Sequence, residues 1–155
     1  MLKDQLSKIG DPSICPTAVL VKDKSVLLGF RNYTPDKWKT VSVWTTPGGR
    51  CDTGETVEQT LRREIKEEIN ITNVNIIDII AEIPGAKEGD VVTIFYCTTD
   101  QEPKLMEPEK FSEWKWVLIE EYLSGAPYDS MNPTAHRLIS NFLKEKLTEI
   151  GTGAT

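Results

Sequence analysis

Three glutamates, Glu64, Glu67 and Glu68, lie at positions i, i+3 and i+4 of a segment, Val57–Asn70, that we expect to be helical. On a helical wheel Glu68 projects about 20° from Leu61 in the apolar stripe, and Glu64 about 60° from it. A solvated acidic face is the usual interpretation of such a cluster, but this overlap with the stripe argues against it. Because a carboxylate without a partner is costly to bury, the spacing favours a hard divalent cation such as Mg²⁺ or Mn²⁺.

The loop before this helix supports a ligand site. Gly48 and Gly49 allow close approach of the backbone to a ligand, so a carbonyl oxygen there could join the metal ligands. Glu55 and Arg63 could form an ion pair that fixes the loop to the helix. Ordinary turns and a weak surface ion pair are the alternatives.

Hydrophobic periodicity and turn residues predict the elements that position these groups. A capping-box pattern of Thr56 and Gln59 marks the start of the glutamate helix. The alternation of strands and helices predicts an α/β fold with a mixed sheet packed between helices. The other expected elements are a short helix in Met1–Ile9, a hairpin of Thr17–Val21 and Ser25–Phe30, a loop from Arg31 to Ser42, strands at Val43–Thr45, Val74–Ile83, Val91–Thr98 and Trp114–Ile119, and a terminal helix at Pro133–Leu147.

Amino-acid composition and net charge limit the classes of function that the protein can have. The chain of 155 residues is 39% hydrophobic, which suits a single domain over residues 1–155, and its net charge of −6 disfavours nucleic acid as a partner. No apolar run is long enough to span a bilayer, and the amino terminus lacks the features of a secretory signal. Three separated cysteines suit a reducing compartment, so we expect a cytoplasmic location. A single histidine excludes zinc sites with several histidines.

The segment Gly49 to Ile71 resembles the Nudix box. Gly49 is followed after five residues by Glu55, and after seven more by Arg63-Glu64-Ile65, Lys66, Glu67-Glu68, Ile69, Asn70 and Ile71. Asn70 stands where the family has Gly, at a position after the helix where a left-handed conformation is expected and Asn tolerates it.

This resemblance implies an α/β/α sandwich and Mg²⁺-dependent hydrolysis, with Mn²⁺ as a substitute, of a nucleoside diphosphate linked to another moiety. The metal ligands would be Glu64, Glu67, Glu68 and the carbonyl oxygen of Gly48. Arg63 and Glu55 would support the loop.

A fourth carboxylate outside the box often binds the metal or acts as the base in this family. Glu113, before Trp114, is the first candidate and Glu109 the second, with an exposed loop acid as the alternative interpretation. The general base could be Glu113, Glu64 or Glu67.

The resemblance also suggests residues that bind substrate. Arg31 would face phosphates, and Asn132 and His136 would read a nucleobase edge, unless Asn132 is only a helix cap and His136 an exposed ring. Trp44, Trp38 or Tyr33 could stack on a base.

The leading functional interpretation is a pyrophosphohydrolase of the mutator-type branch that converts a nucleoside triphosphate to the monophosphate and diphosphate. A hydrolase of nucleotide sugars or dinucleoside polyphosphates and a non-catalytic nucleotide-binding module are the alternatives. The expected partner is a small nucleotide, with no membrane, and a homodimer is compatible with the sequence.

Overall fold

The computed structural model describes residues 1–32 and 42–153, so Tyr33 and Trp38 lie outside the described residues. The order of elements agrees with the sequence prediction except for one short additional helix, Ile119–Ser124. The elements are α1 (Leu2–Ser7), β1 (Ile14–Lys22), β2 (Ser25–Arg31), β3 (Val43–Thr45), α2 (Val57–Ile69), β4 (Asn75–Pro84), β5 (Val91–Thr98), β6 (Phe111–Leu118), α3 (Ile119–Ser124) and α4 (Pro133–Gly153).

The predicted mixed sheet is confirmed. Strand β1 runs parallel to β5 along almost its whole length. It pairs antiparallel with β2 only at its carboxyl end, at Val21–Val26 and Lys22–Ser25. Strand β2 continues against β3 on one edge and β6 on the other, while β4 lies antiparallel to β5. Because β1 leaves β2 after two residue pairs, the segment after β3 lies against β1, with Gly48 bridged to Thr17.

Two apolar cores cover the two faces of the sheet, which confirms the α/β/α sandwich. Helix α2 and the α4 side each bury an aliphatic stripe against the strands. The α2 core includes Leu20, Leu27, Leu61, Ile65, Ile69 and Phe95, and the α4 core includes Val19, Leu28, Tyr96, Ile119, Ile139 and Leu143. Within the described ranges, no helix is long and apolar enough to cross a bilayer.

Helix α2 begins and ends as the sequence predicts. Gln59 N–H donates to Thr56 Oγ1 at 3.1 Å, and Thr56 N–H donates to Gln59 Oε1 at 2.9 Å, which completes the capping box. Asn70 follows the helix in the left-handed conformation, with φ 58°. The Asn that replaces the box glycine therefore adopts the conformation that the glycine would supply.

Three boundaries differ from the prediction by three residues or more, and one helix was not predicted. Strand β1 begins at Ile14 rather than Thr17. Strand β6 begins at Phe111 rather than Trp114. Phe111 is buried and pairs with Arg31, but the two residues that follow it are exposed and obscure the alternation of apolar and polar residues. Helix α3 was not predicted, since its six residues are too few for a helical period. Helix α4 continues past Leu147 to Gly153, where the polar sequence carries little apolar periodicity.

Candidate active site

Glu68 is the most buried of the three helix glutamates. Its side chain lies on the inward face of α2, and the residue is only 4% exposed. Its Oε1 accepts a hydrogen bond from the backbone N–H of Gly48 at 2.9 Å. Burial raises the pKa of Glu68 to about 8, and the nearby charges of Glu64 and Glu107 add to this, although the Gly48 bond and Arg31 oppose it. In the described part of the chain no ion pair involves this carboxylate.

Glu64 lies against the glycine loop. A Cβ added at Gly49 would meet the Glu64 carboxyl carbon at 2.5 Å, so only a glycine at position 49 leaves room for the carboxylate. Burial is the main reason that the pKa of Glu64 is raised, and Arg63 partly opposes it. The carboxylate of Glu64 therefore lies directly beside the backbone of the loop.

Arg63 joins the loop to the helix, as the sequence predicts. Its Nε and Nη2 donate to Glu55 Oε2 at 2.7 Å and Oε1 at 3.0 Å, a bidentate pair. The Arg63 guanidinium is the main reason that the pKa of Glu55 falls to about 2. Arg63 Nη1 also contacts Glu64 at 3.0 Å and the half-exposed Glu67 at 3.3 Å. One arginine thus holds the loop and touches two of the three glutamates.

Strand β1 holds the glycine loop in place. Ala18 N–H donates to the carbonyl of Pro47 at 2.9 Å, and Gly49 N–H donates to the carbonyl of Pro16 at 3.2 Å. A Cβ at Gly48 would meet the Pro16 carbonyl oxygen at 2.4 Å, which requires glycine there. This attachment directs the Gly48 N–H to Glu68.

A cleft of about 550 Å³ connects Glu68 to the α4 side of the sheet. Gly48, Gly49 and Arg31 also line it, and Arg31 is close enough to Glu68 to oppose the rise in its pKa. The Arg31 guanidinium lies 5.3 Å from the centre of the Phe111 ring. The cation of Arg31 and the carboxylate of Glu68 therefore line the same cleft, where an anionic phosphate could contact the arginine.

Residues at the start of α4 also line the cleft. They include Ser130, Met131, Asn132, Pro133 and Ala135. Asn132 is the helix cap, because its Oδ1 accepts from the N–H groups of Thr134 and Ala135 at 2.9 and 3.1 Å. The capping alternative is therefore observed, and Asn132 still faces the cleft.

His136 and Glu113 are not among the residues that line the cleft. The His136 ring packs on Tyr122, with 4.8 Å between ring centres, and its Nε2 is buried without a partner among the described residues.

Glu113 is exposed on β6 opposite Phe30. By strand alternation it shares the face of Val117, which packs in the α4 core. Trp44 is also in that core, beneath the Lys115 ammonium group.

Glu107 is the acid that sequence reasoning missed. Lys104 N–H donates to the carbonyl of Ile69 at 2.9 Å, and Met106 N–H to that of Glu68 at 3.4 Å, so the segment satisfies open carbonyls at the end of α2. This brings Glu107 close enough to raise the pKa of Glu68. Nothing in the local sequence distinguishes it from Glu109, because the placement depends on contacts with a distant helix.

The donor set fits a hard divalent cation. Across residues 1–32 and 42–153 no three acidic, histidine or cysteine side chains form a ready-made metal group, and Glu64 and Glu67 contact Arg63. The buried carboxylate of Glu68 nevertheless makes no ion pair among these residues, and its charge is offset by the Gly48 hydrogen bond and the nearby charge of Arg31. A second half-buried carboxylate, Glu64, has a pKa raised by burial. Carboxylate oxygens are among the ligands that Mg²⁺ and Mn²⁺ prefer.

Two curated relatives are similar to this chain. It is 27% identical over 112 residues to an NAD-capped RNA hydrolase NudC from Mannheimia succiniciproducens, covering 71% of this chain and 42% of that protein. It is 29% identical over 105 residues to an RNA pyrophosphohydrolase from Erythrobacter litoralis, covering 54% of this chain and 63% of that protein. The chain thus spans less than two thirds of the length of either relative.

The fold is also shared. The crystal structure of a NUDIX hydrolase from Nitrosomonas europaea is 21% identical, with a TM-score of 0.70, covering 91% of this chain and 75% of that one. A family model described as the NUDIX domain matches residues 15–142. This match includes the glycine loop, the bidentate Glu55–Arg63 pair and the glutamate helix, and the chain belongs to the Nudix family.

Proposed function

We propose that this chain hydrolyses a phosphoanhydride bond in a small nucleotide, with a nucleoside triphosphate as the leading substrate and the monophosphate and diphosphate as products. Bound Mg²⁺, or Mn²⁺ in its place, is part of the proposal. The observation that carries it is Glu68, a buried carboxylate that lines the same cleft as Arg31 and lies close enough to feel its charge. A cation and a phosphate chain would satisfy both charges.

We propose a role for each residue of this site. Glu64, Glu67 and Glu68 would hold the cation, with the carbonyl oxygen of Gly48. A divalent cation supplies neutralisation of the charge that builds on phosphate oxygens and activation of the attacking water. Arg31 would bind a phosphate oxygen.

The Glu55–Arg63 pair would keep the glycine loop at a fixed distance from α2. This positioning matters because small displacements of catalytic groups slow a reaction strongly.

The candidates for the general base are acids of the proposed metal site and its surroundings. Glu64 and Glu67 stay candidates, as does Glu113. Glu107 is added because of its influence on Glu68. Asn132 is proposed to face the nucleobase, since it lines the cleft. His136 would contact a base only through a rearrangement of α4.

Alternative substrates are part of the test. The names of the two curated relatives refer to RNA, whereas the net charge of −6 weakens attraction to a long polyanion. A non-catalytic module is disfavoured because the box retains Glu64, Glu67 and Glu68.

The deciding experiment incubates the protein with nucleoside triphosphates, nucleotide sugars, dinucleoside polyphosphates and short RNA with a 5′-triphosphate or NAD cap, with and without Mg²⁺, and resolves the products by chromatography. We expect triphosphate hydrolysis that needs the cation and is lost in Glu68→Gln. Glu58→Gln is the matched control, because Glu58 lies on the same helix in an exposed pair with Arg62. Hydrolysis that persists in Glu68→Gln, or no hydrolysis of any compound, would contradict the proposal.

A further inference from the structure

Arg31 and Glu68 carry opposite charges and line the same cleft, yet within the described ranges they form no ion pair with each other. Burial raises the pKa of Glu68 and the charge of Arg31 opposes this rise, so the two groups lie within electrostatic reach. A buried carboxylate without a partner is costly, and a nearby arginine would offset that cost by pairing with it. The separation of the two groups therefore needs a structural cause.

The Arg31 guanidinium lies over an aromatic ring instead. Its central carbon is 5.3 Å from the centre of the Phe111 ring, a distance at which a cation is attracted to the face of a ring. Phe111 is only 1% exposed, and its ring lies 4.5 Å from that of Trp114. Trp114 in turn packs directly on strand β2, because a Cβ added at Gly29 would meet its ring at 2.6 Å. These contacts hold the Phe111 ring in place beneath the guanidinium.

A bulge in strand β6 directs Phe111 to Arg31. The register of β2 and β6 shifts immediately before the Arg31–Phe111 pair, and the exposed Ser112 is the extra residue. Without the shift Ser112 would stand opposite Arg31, and the strand alternation would turn Phe111 to the other face of the sheet. The pairing continues beyond the bulge, where Asn32 N–H donates to the carbonyl of Lys110 at 2.8 Å. The bulge therefore brings an aromatic ring, rather than a small polar side chain, to the arginine.

From this geometry we infer that Phe111 is a positioning residue, whose ring keeps the Arg31 guanidinium from pairing with Glu68. The inference rests on the proposed function, in which Glu68 binds a cation and Arg31 binds a phosphate oxygen. An ion pair between the two would occupy both groups. The ring offers no lone pair to the guanidinium, so the N–H groups of Arg31 stay available for a phosphate.

The test removes the ring and then the arginine. Phe111→Leu keeps an apolar side chain but no aromatic face. We expect the guanidinium to move onto Glu68, so that a cation must displace it and Mn²⁺ binds about five- to tenfold less tightly than in the parent. In an Arg31→Gln background the competing cation is absent, and Phe111→Leu should leave Mn²⁺ affinity unchanged. Calorimetric titration of the parent, the two single variants and the double variant measures these affinities.

Phe142→Leu is the matched control. The Phe142 ring also lies beneath a cation, 5.5 Å from Lys146 Nζ, but it is not among the residues that line the cleft. Its loss should leave Mn²⁺ affinity at the parent value. A merely structural role for Phe111 predicts the same loss of Mn²⁺ affinity with and without Arg31, and that result would overturn the inference. If thermal unfolding shows that Phe111→Leu does not fold, Phe111→Met takes its place, because the flexible methionine side chain fills irregular spaces.

Crystal structures of the metal-free parent and of Phe111→Leu separate this inference from the hydrolase proposal. We expect a guanidinium nitrogen of Arg31 within about 4 Å of a Glu68 carboxylate oxygen in the variant and not in the parent. This result supports the inference even if the parent binds no Mn²⁺ and hydrolyses no nucleotide. A guanidinium that stays clear of Glu68 in the variant would overturn it, even if the protein proves to be a triphosphate hydrolase.

Discussion

The backbone N–H of Gly48 donates a hydrogen bond to the carboxylate of Glu68 across 2.9 Å, and so joins the glycine loop to the buried face of helix α2. The two residues are separated by 20 positions in the sequence. Strand β1 fixes the loop on one side, and the α2 core fixes the helix on the other. The position of Glu68 at the cleft therefore depends on contacts with both the sheet and the helix.

The Glu55–Arg63 pair should make stability depend on pH. The carboxyl of Glu55 has a pKa of about 2 in the folded protein, below its ordinary value of 4.5. Its stabilising effect is therefore complete above pH 4.5 and is lost as pH falls toward 2. Because both side chains are partly exposed, we expect Glu55→Gln to lower the free energy of unfolding at pH 7 by about 1 to 2 kcal/mol.

Urea unfolding at a series of pH values from 7 to 3 measures this effect. The difference between parent and Glu55→Gln should shrink below pH 4.5. Glu58→Gln, in an exposed i, i+4 pair, should differ from the parent by no more than about 0.5 kcal/mol. A constant difference for Glu55→Gln across this range would show that the ion pair is not its cause.

The two loop glycines should fail in different ways when replaced by alanine. At position 49 the new Cβ meets the end of a flexible Glu64 side chain, whereas at position 48 it meets the carbonyl oxygen of Pro16. We expect Gly49→Ala to fold with nearly the parent stability and to lose about tenfold or more in kcat, because the carboxylate that we propose as a metal ligand moves. We expect Gly48→Ala to lose about 1 to 3 kcal/mol of stability, because backbone must shift.

Thermal unfolding and steady-state kinetics on the two variants distinguish these outcomes. Full activity in Gly49→Ala would mean that the position of Glu64 beside the loop is unimportant for hydrolysis.

The fourth carboxylate can be assigned by comparing two acids. Glu107 raises the pKa of Glu68, whereas Glu113 shares the strand face that packs toward α4. We therefore expect Glu107→Gln to reduce kcat by about tenfold or more and Glu113→Gln to change it by less. Lys110→Met controls for the ion pair that Glu107 makes with Lys110. A larger loss in Glu113→Gln would assign the fourth carboxylate to the residue that the sequence favours.

The features that could be predicted from the sequence are those that depend on hydrophobic periodicity and on residues close in the chain. The inward direction of Glu68 follows from its angle to Leu61, and the left-handed Asn70 follows from its place after the helix. The Glu55–Arg63 pair was predictable because the spacing within the box is fixed. These features depend on residues that are close in the chain or on one helix.

Features that depend on distant contacts were not predictable. Glu107 stands beside Glu68 only because its segment bonds to the end of α2. Ser130 reaches the cleft through a bond to Trp44, 86 positions earlier in the sequence. His136 was proposed for the base, but its ring lies on Tyr122 of a helix too short to predict. In each case the contacting residue belongs to an element whose position in the fold cannot be predicted from local sequence patterns.

The central claim is that the helix glutamates bind a divalent cation, and a calorimetric titration of the protein with Mn²⁺ tests it most directly. We predict one saturable binding process that is present in the parent and in Glu58→Gln and at least about tenfold weaker in Glu68→Gln. Undiminished Mn²⁺ affinity in Glu68→Gln would contradict the account.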